Sequence, residues 1–177
     1  MPCTTITSGF TLNCKGAIGG IKKIVLTDWL NMNTPGDDFS FGTGADIETI
    51  MTLFITSPDL FTYEIDAQTG DFQEVYTFSR ENMTGFYTQT VNVMLKGLAA
   101  DKRLELEKVA QTRLVIFVQD ANDNWWAVGI ENGADLSTAT AATGKVYGDG
   151  NGYTLSFTHD APKRAYKLNG SPYDILD

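Results

Sequence analysis

The sequence predicts a mainly β fold, an antiparallel β-sandwich or rolled barrel with one flanking α-helix. Three observations point there. Apolar residues alternate with polar ones in several short runs separated by turn residues, the mark of half-buried strands. Only one segment carries a helical period, and it sits between strand runs. No Gly-x-Gly-x-x-Gly or Walker loop occurs, and strands do not alternate with helices, which argues against a doubly wound α/β fold.

Taken in chain order, residues 1–20 are rich in Thr, Ser, Gly and Asn and read as an N-terminal arm or short edge strand. Residues 21–177 read as a single β-rich assembly domain. Gly19 and Gly20 lead into "IKKIVL", where Ile21, Ile24, Val25 and Leu26 predict a strand. The stretch 31–46, "NMNTPGDDFSFGTGAD", is dense in turn residues and predicts a long loop. Loops of this length often have a job, and this one carries Phe39 and Phe41, which a purely solvated loop does not need. At 61–66, Phe61, Tyr63 and Ile65 share one face. "AQTGD" then reads as a turn with Gly70 available for positive φ, and Phe72, Glu74, Tyr76 and Phe78 continue on a second strand. Together they predict a hairpin with a polar and an aromatic face. "GFYTQTVNVML" (85–95) is a further strand with Tyr87, Val91, Val93 and Leu95 in phase.

The helix spans 99–111, with Ala100, Leu104 and the Val109/Ala110 pair on one face. Asp101 early and Lys108 late suit the helix dipole. "RLVIFVQD" (113–120) is continuously apolar, so both its faces are expected to be buried. "DANDN" (120–124) is a hairpin turn, and "WWAVGI" (125–130) the returning strand. "YGDGNG" reads as tight-turn chemistry with Asn151-Gly152 supplying positive φ. It feeds the strand "YTLSFTH" (153–159), and "RAYKL" (164–168) is a last short strand.

Charge is unevenly placed. Between Lys23 and Arg80 there is no Lys, Arg or His, yet the gap holds ten acids: Asp28, Asp37, Asp38, Asp46, Glu48, Asp59, Glu64, Asp66, Asp71 and Glu74. The remaining 13 basic and 12 acidic residues nearly cancel, so one third of the chain carries the net charge of −9. Attractive contact with nucleic-acid phosphates is disfavoured there. That segment is a solvated acidic face, or faces something that must not stick or a basic neighbour.

Residue patterns for chemistry are weak. "DANDNWW" places Trp125 where a calcium loop needs glycine, and "GDGNGY" offers only Asp149 and Asn151. Cys3 and Cys14 with one histidine cannot complete a structural zinc site and are read as free thiols. His159 lies in phase with Tyr153, Leu155 and Phe157, the apolar phase, and so reads as a packed residue. Asp160 points to the opposite face, a poor orienting partner, and no Gly-x-Ser-x-Gly elbow is present. No enzyme is expected, nor any cofactor, metal or membrane span. Trp125 and Trp126 point to opposite faces, one to the core and the other to an edge, an interface or a ligand platform. What remains are an arm, a long loop and an acidic hairpin, appendages that neighbouring subunits would cover. Self-assembly is the functional reading with physical support.

Two segments, "CKGAIGGIKKIVLTDW" (14–29) and "TGKVYGDGNGYTLSFTHDAPKRAYKL" (143–168), resemble small virion proteins of tailed bacteriophages, especially those of Bacteroidetes hosts. The order of elements over most of the chain is similar to a tail tube protein. That resemblance implies a rolled barrel or sandwich whose six copies form a ring, with rings stacking into a tube through which genome DNA passes. It implies a virion location after assembly in the host bacterial cytoplasm. The implied partners are further copies of this chain, other tail or connector proteins, and DNA only as a non-adhering passenger. In that setting Phe39, Phe41, Tyr63, Tyr76 and Phe78 are candidate contacts between subunits. Asp37, Asp38, Glu64, Asp66, Asp71 and Glu74 are candidates for an acidic lumen. Related β-rich virion proteins also serve as head–tail junction rings or capsid decoration. A surface glycan-binding module using Trp125 or Trp126 is the alternative from another class.

Overall fold

A computed structural model describes residues 17–32, 38–41, 49–54 and 59–174. The fold is mainly β and sandwich-like, with 52% of residues in strands, and it does not close into a barrel. The elements are β1 (Ile21–Asp28), α1 (Trp29–Met32), β2 (Asp38–Phe41), β3 (Thr49–Phe54), β4 (Phe61–Glu64), β5 (Gly70–Ser79), β6 (Thr84–Lys96), α2 (Ala100–Gln111), β7 (Leu114–Asp120), β8 (Trp125–Val128), β9 (Asp135–Ala142), β10 (Gly152–Ala161) and β11 (Tyr166–Leu168). They form a seven-stranded sheet in the order β2-β3-β11-β8-β7-β1-β4 and a four-stranded sheet in the order β5-β6-β10-β9. Every pairing is antiparallel except β11 with β3.

The core follows from β7. Its first five residues, Leu114 to Val118, are all buried, as their unbroken apolar run predicts. Successive side chains leave a strand on opposite faces. Leu114, Ile116 and Val118 therefore enter the core between the sheets, with Ile24, Val91, Val93, Leu155 and Phe157. Val115 and Phe117 enter a second core on the other face of the large sheet, with Val25, Trp125, Ala127 and Tyr166. Each such side chain contributes about 1.5–3 kcal/mol by leaving water.

Several local expectations change. The strands at 61–66 and 70–79 do not form a hairpin. β4 pairs with β1 in the large sheet, and β5 pairs with β6 in the small one. Residues 65–69 are a corner between sheets, in which Thr69 donates to the Asp66 carbonyl through both its N–H (3.2 Å) and its hydroxyl (2.6 Å). The positive φ falls on Gln68 (64°), not on Gly70. Of the stretch 31–46 read as a long loop, 31–32 are the end of helix α1 and 38–41 pair with β3. β3 and β9 carry no clear alternation and were not legible as strands. Apart from Leu136, which packs against the core, β9, "DLSTATAA", is built of small polar and alanine side chains and is almost wholly exposed.

Helix α2 buries Leu106 and Val109, while Leu104, placed on the core face by periodicity, is 59% exposed. The helix lies across one open end of the sandwich, beside Tyr63, Leu95 and Tyr153, so only a narrow stripe of it meets the core. Trp125 is buried in the second core. Trp126 is half-buried against Phe72, ring centroids 6.5 Å apart.

The "YGDGNG" stretch is also reassigned. β9 and β10 are joined by residues 143–151, not by a tight two-residue reversal. Asp149 Oδ2 gathers the connection by accepting from the N–H groups of Lys145 (2.7 Å) and Val146 (3.0 Å), and these bonds hold its carboxyl below the usual value. The positive φ is at Gly144 (72°). Gly152 serves close approach instead: a Cβ there would lie 2.1 Å from the Leu95 carbonyl oxygen. Gly152→Ala is expected to cost about 1–3 kcal/mol, read by urea denaturation. An unchanged midpoint would show that the β10–β6 ladder opens there without penalty.

Candidate functional site

The feature that stands out from the body is the β5–β6 hairpin. Phe72 opposite Val91 belongs to the core. One step on, Glu74 lies opposite Gln89. There the segment after β10 crosses the hairpin: Glu74 Oε1 accepts from Ala165 N–H (2.6 Å), and Gln89 Nε2 donates to the Lys163 carbonyl (3.2 Å). Beyond that level the hairpin projects. Tyr76 and Phe78 are each 55% exposed, and Met83 at the turn is 78% exposed.

Both faces of the projection carry exposed apolar side chains. On one, Tyr76 packs on Tyr87 at 4.8 Å between ring centroids, and its ring lies over Gly85, where a Cβ would meet the hydroxyl oxygen at 2.2 Å. On the other, Val75 and Phe86 occupy positions where a water-facing strand usually carries polar residues. These two, with Met83 and Tyr87, were missed as site residues. The signal that could have found them is apolar residues in both strand phases beside the "RENM" turn.

Of the sequence-predicted contact residues, Tyr76 and Phe78 thus meet on this hairpin. Tyr63 does not join them. It is half-buried on β4, and burial, followed by the Glu105 carboxylate, raises its phenol above the usual pKa. Phe39 and Phe41 lie on β2, opposite Leu53 and Ile50, and their side chains are outside the described residues.

The acids are distributed over several elements. Asp37, Asp46 and Glu48 lie outside the described residues, as does the side chain of Asp38 on β2. Glu64 is exposed on β4. Asp66 is exposed at the corner and paired with Lys96, whose hydrogen bond, with that of Ala67 N–H, lowers its pKa. Asp71 and Glu74 lie in opposite phases of β5. Asp71 accepts from Asn92 Nδ2 (3.2 Å) and Gln73 Nε2 (2.9 Å). Asp28 accepts from Leu30 N–H (2.8 Å) at the start of α1.

The acid-only segment nevertheless has a common place in the topology. It supplies β2 and β4, the two edges of the large sheet, and β5, one edge of the small sheet. The other edge of the small sheet is β9. Edge strands present unpaired N–H and C=O groups, and β5 and β9 are ten and eight residues long.

Asp120 organises the turn at 120–124. Burial alone would raise its carboxyl, but donors from Asn124, Trp126 and Asn122 outweigh it and lower the pKa. Oδ1 accepts from Asn122 N–H and Asn124 N–H, both at 2.8 Å, and Oδ2 from Asn124 Nδ2 at 3.0 Å. The oxygens that a cation would need are committed to the turn itself. A depressed folded pKa stabilises the fold above the unfolded value of about 3.9 and loses that effect as pH falls through the folded value. Asp120→Asn is expected to cost about 1–2 kcal/mol at pH 7, with the difference from wild type shrinking toward pH 2 in thermal melts. An equal difference at both pH values would overturn the assignment.

His159 is buried and donates from Nδ1 to the Gly133 carbonyl at 2.8 Å, while Asp160 points away and accepts from the Thr88 hydroxyl at 2.6 Å. Among the described residues, no three His, Cys, Asp or Glu side chains cluster as a metal site would need, and no helix is long and apolar enough to cross a membrane. Cys3 and Cys14 lie outside the described residues.

A groove of about 530 Å³ lies beneath α2. Tyr63, Leu95, Leu106 and Tyr153 give it an apolar lining, and Glu64, Lys102 and Glu105 bring charge to it. In comparisons with known proteins, the chain matches no family model, no curated protein and no solved structure.

Proposed function

We propose that this chain is a structural virion protein that assembles with copies of itself into rings, as the subunit of a phage tail tube. The observation that carries this reading is the small sheet, which has two long open edges, β5 and β9, and a hairpin with exposed apolar side chains on both faces where it leaves the body. The edge strand β9 carries one charge, Asp135 at its start, and lacks the Lys and Pro residues that usually block pairing. Joining β5 of one copy to β9 of the next extends one sheet across subunits. This contact uses different surfaces on the two partners, so it repeats around a ring until closure. Tyr76 and Phe78 add buried aromatic area to it, the residue class that dominates interface energies.

Glu64 on β4 and Glu74 on β5 are exposed, and carboxylates of this kind facing a lumen would repel phosphates, which suits DNA passing without adhering. The tryptophan-platform reading has less support, because Trp125 is buried and Trp126 packs on Phe72. Negative-stain microscopy of the purified full chain at rising concentration tests the proposal. Rings or tubes of uniform width are expected. Monomers at every concentration would reject it, and single rings that never extend would favour a junction ring over a tube.

A further inference from the structure

Asparagine is followed by glycine at three places, Asn132–Gly133, Asn151–Gly152 and Asn169–Gly170. The backbone nitrogen after an asparagine can attack the asparagine side-chain amide, and a glycine there, with no Cβ, leaves the approach open. The three pairs differ in what holds that nitrogen. Gly133 is buried, its N–H donates to the Gly129 carbonyl (2.8 Å), and its own carbonyl accepts from His159 Nδ1 (2.8 Å). Gly152 is buried as the first residue of β10, paired with Lys96 on one side and Ala142 on the other. The Asn151 carbonyl accepts from Gly97 N–H (2.9 Å), and the Leu95 carbonyl stands where a Gly152 side chain would be.

Asn169 and Gly170 are exposed, just past the end of β11. The Asn169 N–H donates to the Ile50 carbonyl (3.0 Å), which anchors the chain up to that point. Beyond it, among the described residues, the Asn169 carboxamide and the Gly170 N–H have no hydrogen-bond partner. Both atoms that must meet are therefore free, in the one pair of the three where neither ladder nor core restrains them.

We infer that Asn169 is a site of spontaneous modification, where the side-chain amide is lost by deamidation ahead of the other two Asn-Gly pairs. The Gly170 nitrogen gives up its proton to water and bonds to Asn169 Cγ. The side-chain nitrogen takes a proton and leaves as ammonia. Water then opens the resulting succinimide. Cleavage of the new Cγ–N bond gives aspartate, and cleavage of the original backbone C–N bond gives isoaspartate, whose chain runs through Cβ. Either product adds a carboxylate. The hydrogen bond to Ile50 uses the nitrogen on the other side of Cα, so β11 keeps its pairing with β3 while the chain beyond it changes. The site does not depend on the self-assembly reading.

Peptide mapping by mass spectrometry tests this on the full chain, held folded at mildly alkaline pH and sampled over time. A parallel sample in guanidinium chloride supplies the clock. In the folded chain Asn169 is expected to react first, with Asn132 and Asn151 slower by about tenfold or more. Tenfold is about 1.4 kcal/mol, the order of one hydrogen bond that must open before the nitrogen is free. In denaturant the three rates should converge, because the residue that follows is glycine in each. Asn169→Gln, with a matching thermal melt, should remove the early acidic species on ion-exchange chromatography. Four results would each overturn the assignment: Asn132 or Asn151 keeping pace with Asn169 in the folded chain, the same spread of rates in denaturant, Asn169 left intact while the denatured chain reacts, or an early acidic species that persists in Asn169→Gln.

Discussion

Phe157→Ala is expected to destabilise the chain by about 3–5 kcal/mol. Phe157 is fully buried on β10, opposite Val91 on one side and Leu136 on the other, in the core between the two sheets. Truncation removes the transfer energy of the ring and leaves a cavity. The surrounding β-branched side chains have few rotamers with which to fill it. A domain of this kind has about 5–15 kcal/mol in total, so the variant is marginal at best. Urea denaturation should show a lower midpoint with an unchanged slope. Leu104→Ala on the exposed side of α2 is the control and should fall within about 0.5 kcal/mol. If Phe157→Ala cost no more than that control, the two sheets would not share a closed core.

Tyr76→Asp with Phe78→Asp is expected to weaken self-association by about 100-fold or more, since central aromatic interface residues are typically worth 2 kcal/mol or more each. The fold should survive, because both side chains are more than half exposed. The loss within the subunit is the Tyr76–Tyr87 packing, about 0.5–1.5 kcal/mol. Sedimentation should then report monomers at concentrations where wild type assembles, with melting points a few degrees apart. Assembly at unchanged concentration would show that the projecting hairpin is not the lateral interface.

Much of the fold was legible because strands with a wet side and a dry side announce themselves. The phase of Val91 and Val93, the unbroken run of β7, and the apolar phase that includes His159 each follow from period-two burial. The "DANDN" turn was legible because Asp120 bonds its own neighbours, an interaction that is local in sequence. β9 was not legible, because Ser, Thr and Ala on an open edge carry no hydrophobic contrast. Of the candidate site, Tyr76 and Phe78 stand out in the sequence because their alternation with polar residues puts them on one aromatic strand face. Met83 and Phe86 were not, because an apolar residue beside a turn looks the same whether it folds inward or projects.

What the residues decided alone was the type of each clear element and which of its faces is apolar. Tertiary structure decided the partners. The five residues 65–69 could close a hairpin or turn a corner, and the competition for β1 and β6 as neighbours sent β4 and β5 to different sheets. Helix α2 has two possible apolar stripes, and the shape of the sandwich end selected Leu106 over Leu104. Gly152 is needed not for a turn but because the Leu95 carbonyl stands where its side chain would be. In each case the deciding atoms are far away along the chain, and local pattern carries no information about them.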